Sequence, residues 1–191
     1  MEPILISAGI AVLAEFGDKS QLLAILLASR FHRSLPIIGA IFAATLCNQL
    51  LAALAGKLAA DWLGENLRWI LALSFLAMAV WMLVPERQTS QPKTIGNFGA
   101  FGATLIAFFV VEMGDKTQLA TVALAARFHA IIPVAVGTTL GMMAANVPAV
   151  YLGDYLGAKV PVRALRYAAA AIFFLLAVVT VLGFGRRLLF A

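Results

Sequence analysis

The sequence predicts an all-α integral membrane protein: six transmembrane helices arranged as two inverted-topology three-helix repeats. Three observations predict it. Of 191 residues, 63% are hydrophobic and 12% charged, with a mean hydropathy of +0.98, far from the balance of a soluble domain. Six apolar runs, approximately 4–29, 36–56, 68–84, 98–126, 132–153 and 166–185, approach the roughly 20 residues that cross about 30 Å of hydrocarbon at about 1.5 Å each. An offset of 97 residues lays "EFGDKSQ" (Glu15 to Gln21) on "EMGDKTQ" (Glu112 to Gln118), Arg30-Phe31-His32 on Arg127-Phe128-His129, Pro36 on Pro133 and Gly56 on Gly153. Agreement over that distance is the mark of an internal duplication.

The first run follows Met1-Glu2-Pro3, which has no basic n-region, and charges interrupt it, so it is expected to stay in the protein rather than act as a cleaved signal. The second carries Thr45, Asn48 and Gln49 beside the lone Cys47, which lacks a partner for a disulfide or a thiolate cluster and is expected to pack as a small hydrophobe. The third, 68–84, completes a first repeat of residues 1–84. A polar segment, 85–97, "PERQTSQPKTIGN", has the Pro, Ser, Thr and Asn of a connecting loop. Residues 98–191 form the second repeat, whose fifth run contains Thr138, Asn146 and a Gly137-x-x-x-Gly141 motif suited to close helix packing, within the chain or between subunits. Three spans per repeat force the second half to enter the membrane inverted, as in many secondary transporters.

Basic residues set the orientation only weakly. Lys57, Arg68, Arg127, Arg186 and Arg187 fall on the side of the termini and Arg30, Arg33, Arg87, Lys93, Lys159, Arg163 and Arg166 on the other. Five against seven favours both termini outside. The net charge of +5 is scattered through short loops, so it reads as interfacial and topological, with the lipid bilayer rather than nucleic acid as partner. Trp62, Trp69 and Trp81 are expected to anchor span ends.

The two heptapeptides carry the chemistry. Glu15 and Glu112 fall near the bilayer midplane, where a charge costs at least about 2.5–3.5 kcal/mol and marks function by default. On a regular helix, Asp18 lies about 60° from Glu15 and Gln21 about 60° further, on one broad face. Lys19 lies about 40° to the other side, an i,i+4 partner for Glu15. Ser20 and Thr117 point away unless the backbone loosens, and Gly17 and Gly114 allow loosening or close helix approach. Facing Glu15, Asp18 and Gln21 to Glu112, Asp115 and Gln118 supplies six oxygen-bearing side chains, a set suited to Mn²⁺, Ca²⁺ or Mg²⁺ rather than to soft ions. Four carboxylates with Lys19 and Lys116 sum to −2, which one divalent cation or two protons neutralise. That equality points to antiport, with protons and metal competing for the same oxygens.

The paired E-x-G-D-K-[ST] signatures on the first and fourth of six helices resemble the Gdt1-type cation/proton antiporter family, which includes Golgi calcium/manganese transporters and bacterial manganese exporters. The resemblance spans essentially the whole chain. It implies exchange of Mn²⁺ or Ca²⁺ for H⁺, with Glu15, Asp18, Glu112 and Asp115 binding the ion and Ser20, Thr117, Gln21 and Gln118 around it. The compact six-span form resembles the bacterial members, implying manganese export across the inner membrane. No reaction and no cofactor are expected, and homo-oligomerisation stays open.

Other polar residues have simpler readings. Asn48 and Asn146 either complete the ion's shell or hold helices together. His32 and His129, in "RFHRSLP" and "RFHAIIP", read as interfacial caps before a helix-starting proline more readily than as proton relays. Two other classes compete: an exporter of a small cationic solute such as an amino acid, separated by which solute moves in vesicles, and a passive cation channel, separated by flux that ignores a pH gradient.

Overall fold

A computed structural model describes residues 1–15, 18–63, 66–83, 99–152 and 162–182. Phe16, Gly17, Gly153 and the 85–97 link lie outside the described residues. The described residues form eight helices and no strand: α1 Glu2–Glu15, α2 Lys19–Phe31, α3 Ser34–Leu63, α4 Leu67–Leu83, α5 Ala100–Glu112, α6 Lys116–Phe128, α7 Ile132–Leu152 and α8 Val162–Leu182.

The expectation of one continuous helix through each heptapeptide is corrected. The first and fourth apolar runs are each two helices, broken at the motif. Asp18 and Asp115 adopt extended backbone (φ −82°, ψ 166° and φ −77°, ψ 165°), and Gly114 sits at φ +76°, a region that side chains disfavour. A backbone hydrogen bond spans each break, the Asp18 N–H donating to Glu15 O and the Asp115 N–H to Glu112 O, both at 3.1 Å. Such backbone survives at membrane depth only where protein surrounds it.

α2 and α6 end alike. His32 and His129, both at φ 50°, form left-handed caps, and the His32 N–H donates to Ala28 O at 2.9 Å. Histidine is among the residues that tolerate this conformation. The His129 Nδ1 also lies 3.9 Å from Asp61 Oδ1 at the far end of α3.

Two helices are long and apolar enough to cross a membrane, α3 and residues 132–151 of α7, and parts of α4, α5 and α8 are shorter apolar segments. Large apolar side chains such as Leu51, Leu58, Trp69, Leu73 and Val110 are exposed, as they are on a surface that meets lipid tails. Cys47 is exposed as well, on the outer face of α3. This is a helical membrane protein.

Packing crosses between the halves. α1 and α2 lie on α7, α5 and α6 lie on α3, α3 meets α7, and α4 pairs with α8, where the Phe75 and Phe173 rings stand 6.3 Å apart. Small residues set the closest approaches. A Cβ on Gly141 would meet the Ala8 carbonyl oxygen, one on Gly137 the backbone of Ile4, and one on Gly56 the Val122 carbonyl of α6. The glycine pair of the fifth run therefore packs within the chain, which resolves the alternative left open by the sequence.

Two apolar cores result. One joins Leu23 and Leu27 of α2, Ile37 and Ile41 of α3, Phe108 of α5 and Val150 of α7. The other joins Ile10 of α1, Leu124 of α6 and Val134 of α7 to Phe75 of α4 and Phe173 of α8. The α4–α8 pair takes part in the second core alone, among the described residues.

Candidate functional site

Each break leaves a carboxylate at the end of one half-helix and another at the start of the next. Glu15 and Glu112 close α1 and α5, whose last carbonyls have no partner within the helix. Asp18 and Asp115 cap α2 and α6, where the positive end of the helix dipole favours an anion. The Asp115 side chain accepts from the Thr117 N–H at 3.4 Å, whereas Asp18 makes no side-chain capping bond.

Glu15, Asp18 and Asp115, all buried, each bring a carboxylate oxygen to within 4.8 Å of the others. A cation that binds oxygen at about 2.3–2.6 Å bridges such a spacing. Glu15 is surrounded by donors from three helices: the Ser20 hydroxyl, the Thr117 hydroxyl at 3.3 Å and Asn146 Nδ2 at 3.0 Å. The break thus brings Ser20 and Thr117 to the carboxylate, which a regular helix would have turned away.

Glu112 is not among those three carboxylates. It accepts from the Thr45 hydroxyl at 2.7 Å and from Asn48 Nδ2 at 3.3 Å, both on α3. Asn48 Nδ2 also reaches Phe109 O at 3.1 Å, one of the carbonyls left over at the end of α5. Thr45 carries only a faint signal in the sequence, its place three residues before Asn48, on the same face of α3.

Glu15 is the expected i,i+4 partner of Lys19, and the structure shows both lysines reaching across to the other half: Lys19 Nζ lies 3.0 Å from Asp115 Oδ1, and Lys116 Nζ lies 3.6 Å from Asp18 Oδ1. The two amides diverge. Gln21 Nε2 donates to Ala145 O on α7 at 3.2 Å, near Pro148, whose missing N–H loosens that turn. Gln118 Oε1 accepts from the Gly114 N–H at 2.6 Å and braces its own break. The single helical face drawn through Glu, Asp and Gln therefore does not exist.

Three buried amide oxygens, Asn48 Oδ1, Gln49 Oε1 and Asn146 Oδ1, have no hydrogen-bond partner. An unpaired buried carbonyl is costly, and a hard cation is one thing that would satisfy it. Gln49 and Asn146 occupy equivalent places in the duplication, but Thr45 is matched by Met142 and Asn48 by Ala145. Gln49 Nε2 even donates to Met142 Sδ, at 3.1 Å. Thr138, by contrast, bonds back to Val134 O of its own helix.

A profile of the family described as "Divalent cation/proton antiporter GDT1" matches residues 3–90 and 100–186. The chain belongs to this family. The two matched blocks follow the duplication, the first ending inside the polar link. A Vibrio cholerae serotype O1 protein named "Putative manganese exporter" is 47% identical over 182 residues, covering 94% of this chain and 90% of that protein. No solved structure matches. Membership of a GDT1 antiporter family places the chain among transporters rather than enzymes.

Proposed function

We propose that the protein is a secondary transporter that exports Mn²⁺, with Ca²⁺ the nearest alternative substrate, in exchange for protons across a bacterial inner membrane. Its six spans, two of them broken, form inverted three-helix repeats over residues 1–84 and 98–191, with 85–97 as the link. The cation binds at the two breaks, to Glu15, Asp18 and Asp115, and Asn146 Oδ1 is its neutral ligand. Glu112, with Thr45 and Asn48, forms the neighbouring carboxylate station; Ser20, Thr117, Gln21 and Gln118 hold the breaks in shape.

The observation that carries this reading is the buried three-carboxylate group beside Asn146, whose Nδ2 holds Glu15 while its Oδ1 accepts nothing. Protons and metal compete for the same oxygens, and that competition couples their movements. The cross-packing of each motif on the other half's long helix supports a site at the repeat interface. The relative's name supports manganese as substrate.

The test is divalent-cation-driven proton movement in inverted membrane vesicles, screened with Mn²⁺, Ca²⁺ and Mg²⁺. Glu15→Gln and Asp115→Asn are expected to abolish it while the protein still inserts. Full transport by either variant would remove the carboxylate site from consideration.

A further inference from the structure

Asp18 and Asp115, two of the three clustered carboxylates, are each already held by a cation that belongs to the chain. Lys19 lies against Asp115 and Lys116 against Asp18, a reciprocal exchange between the halves. Both lysines are the first residues of their half-helices, where the dipole repels a positive charge. Helix stability does not account for a lysine there. Lys116 is 5% exposed, and an ammonium so buried requires an anionic partner.

We propose that Lys19 and Lys116 are tethered competitors of the transported cation: they occupy the aspartates of the unloaded site, and only a divalent ion displaces both. A monovalent ion brings one positive charge to a place where two ammonium groups already satisfy two carboxylates, so it gains too little to evict them. A divalent ion supplies both charges at once and binds the oxygens at shorter range. The two lysines differ in freedom, since Lys19 is 25% exposed and Lys116 is 5% exposed. Lys19 therefore gives way first, towards water, and Lys116 follows.

The inference rests on the cation-site reading above, and the experiment separates the two. Purified protein in lipid nanodiscs is titrated with Mn²⁺ by calorimetry, with and without excess Na⁺. The double variant K19Q/K116Q is expected to bind Mn²⁺ at least about tenfold tighter, the modest end of what losing unit charges a few ångströms away does, and to lose Mn²⁺ to Na⁺. K19R/K116R should retain wild-type affinity and indifference to Na⁺. Unchanged or weaker Mn²⁺ binding by K19Q/K116Q, with wild-type binding still abolished by Glu15→Gln, overturns the lysine role and leaves the site standing. Wild-type binding that survives Glu15→Gln, or no saturable binding at all, overturns both. If the double variant does not fold, K19Q alone, at the more exposed lysine, is judged by the same direction of change.

Discussion

At the scale of single residues, Asn146 joins the two chemistries of the site. Its amide hydrogen bond orients the Glu15 carboxylate, and its oxygen is left for a ligand. Supporting groups of this kind are worth about 10–100-fold in metal affinity. Asn146→Leu is therefore expected to weaken Mn²⁺ binding in calorimetry by that order while helical content by circular dichroism holds. In the wild type, binding should tighten as pH rises, because fewer protons then contest the carboxylate oxygens; an affinity flat with pH would contradict the competition. The acids, lysines and Asn146 were legible in the sequence, since charge and amide at membrane depth stand out against apolar neighbours. Ser20 and Thr117 were marked by the family resemblance and by the glycines that let the backbone loosen, whereas the cross-half lysine partners were not legible, because their directions depend on a backbone break that a helical wheel assumes away.

At the scale of elements, the half-helix is the unit that the apolar pattern concealed. Runs 4–29 and 98–126 have the composition of continuous spans, and the break shows only in Glu-x-Gly-Asp, where Gly114 takes a positive φ and the aspartate serves as an N-cap. The glycine contacts between α1 and α7 were better marked. Gly141→Val is expected to force α1 from α7, since the added carbons meet the Ala8 backbone, and overpacking of this kind costs about 1–3 kcal/mol or more. A thermal melt of the purified protein checks this, with Gly9→Ala as the comparison. Gly9 has open space around it, and alanine there should leave the melt unchanged or raise it slightly.

At the scale of the whole molecule, the duplication was readable from the 97-residue offset, whereas the exchange of partners between halves was not, because no local pattern says which long helix a motif lies against. The two cores divide the labour unequally. Among the described residues α4 and α8 join only the core that contains α1 and α6, so the proposed alternation of access is expected to slide this pair against the rest. Cysteines at Met78 on α4 and Ala123 on α6, which line one cavity, in a background of Cys47→Ser, should allow a short bifunctional reagent to arrest transport. Reduction of a cleavable reagent should restore it, and undiminished turnover in the linked protein would mean that this face does not move. The mismatch of Thr45 with Met142 and of Asn48 with Ala145 bears on ancestry. A homodimer of residues 1–84 would present each glutamate with a threonine and two amides, and a homodimer of residues 98–191 would present it with a thioether and one asparagine. Neither rebuilds the two unlike surroundings that Glu15 and Glu112 have, so each half is expected to fail as a homodimer and to need the other to complete its site.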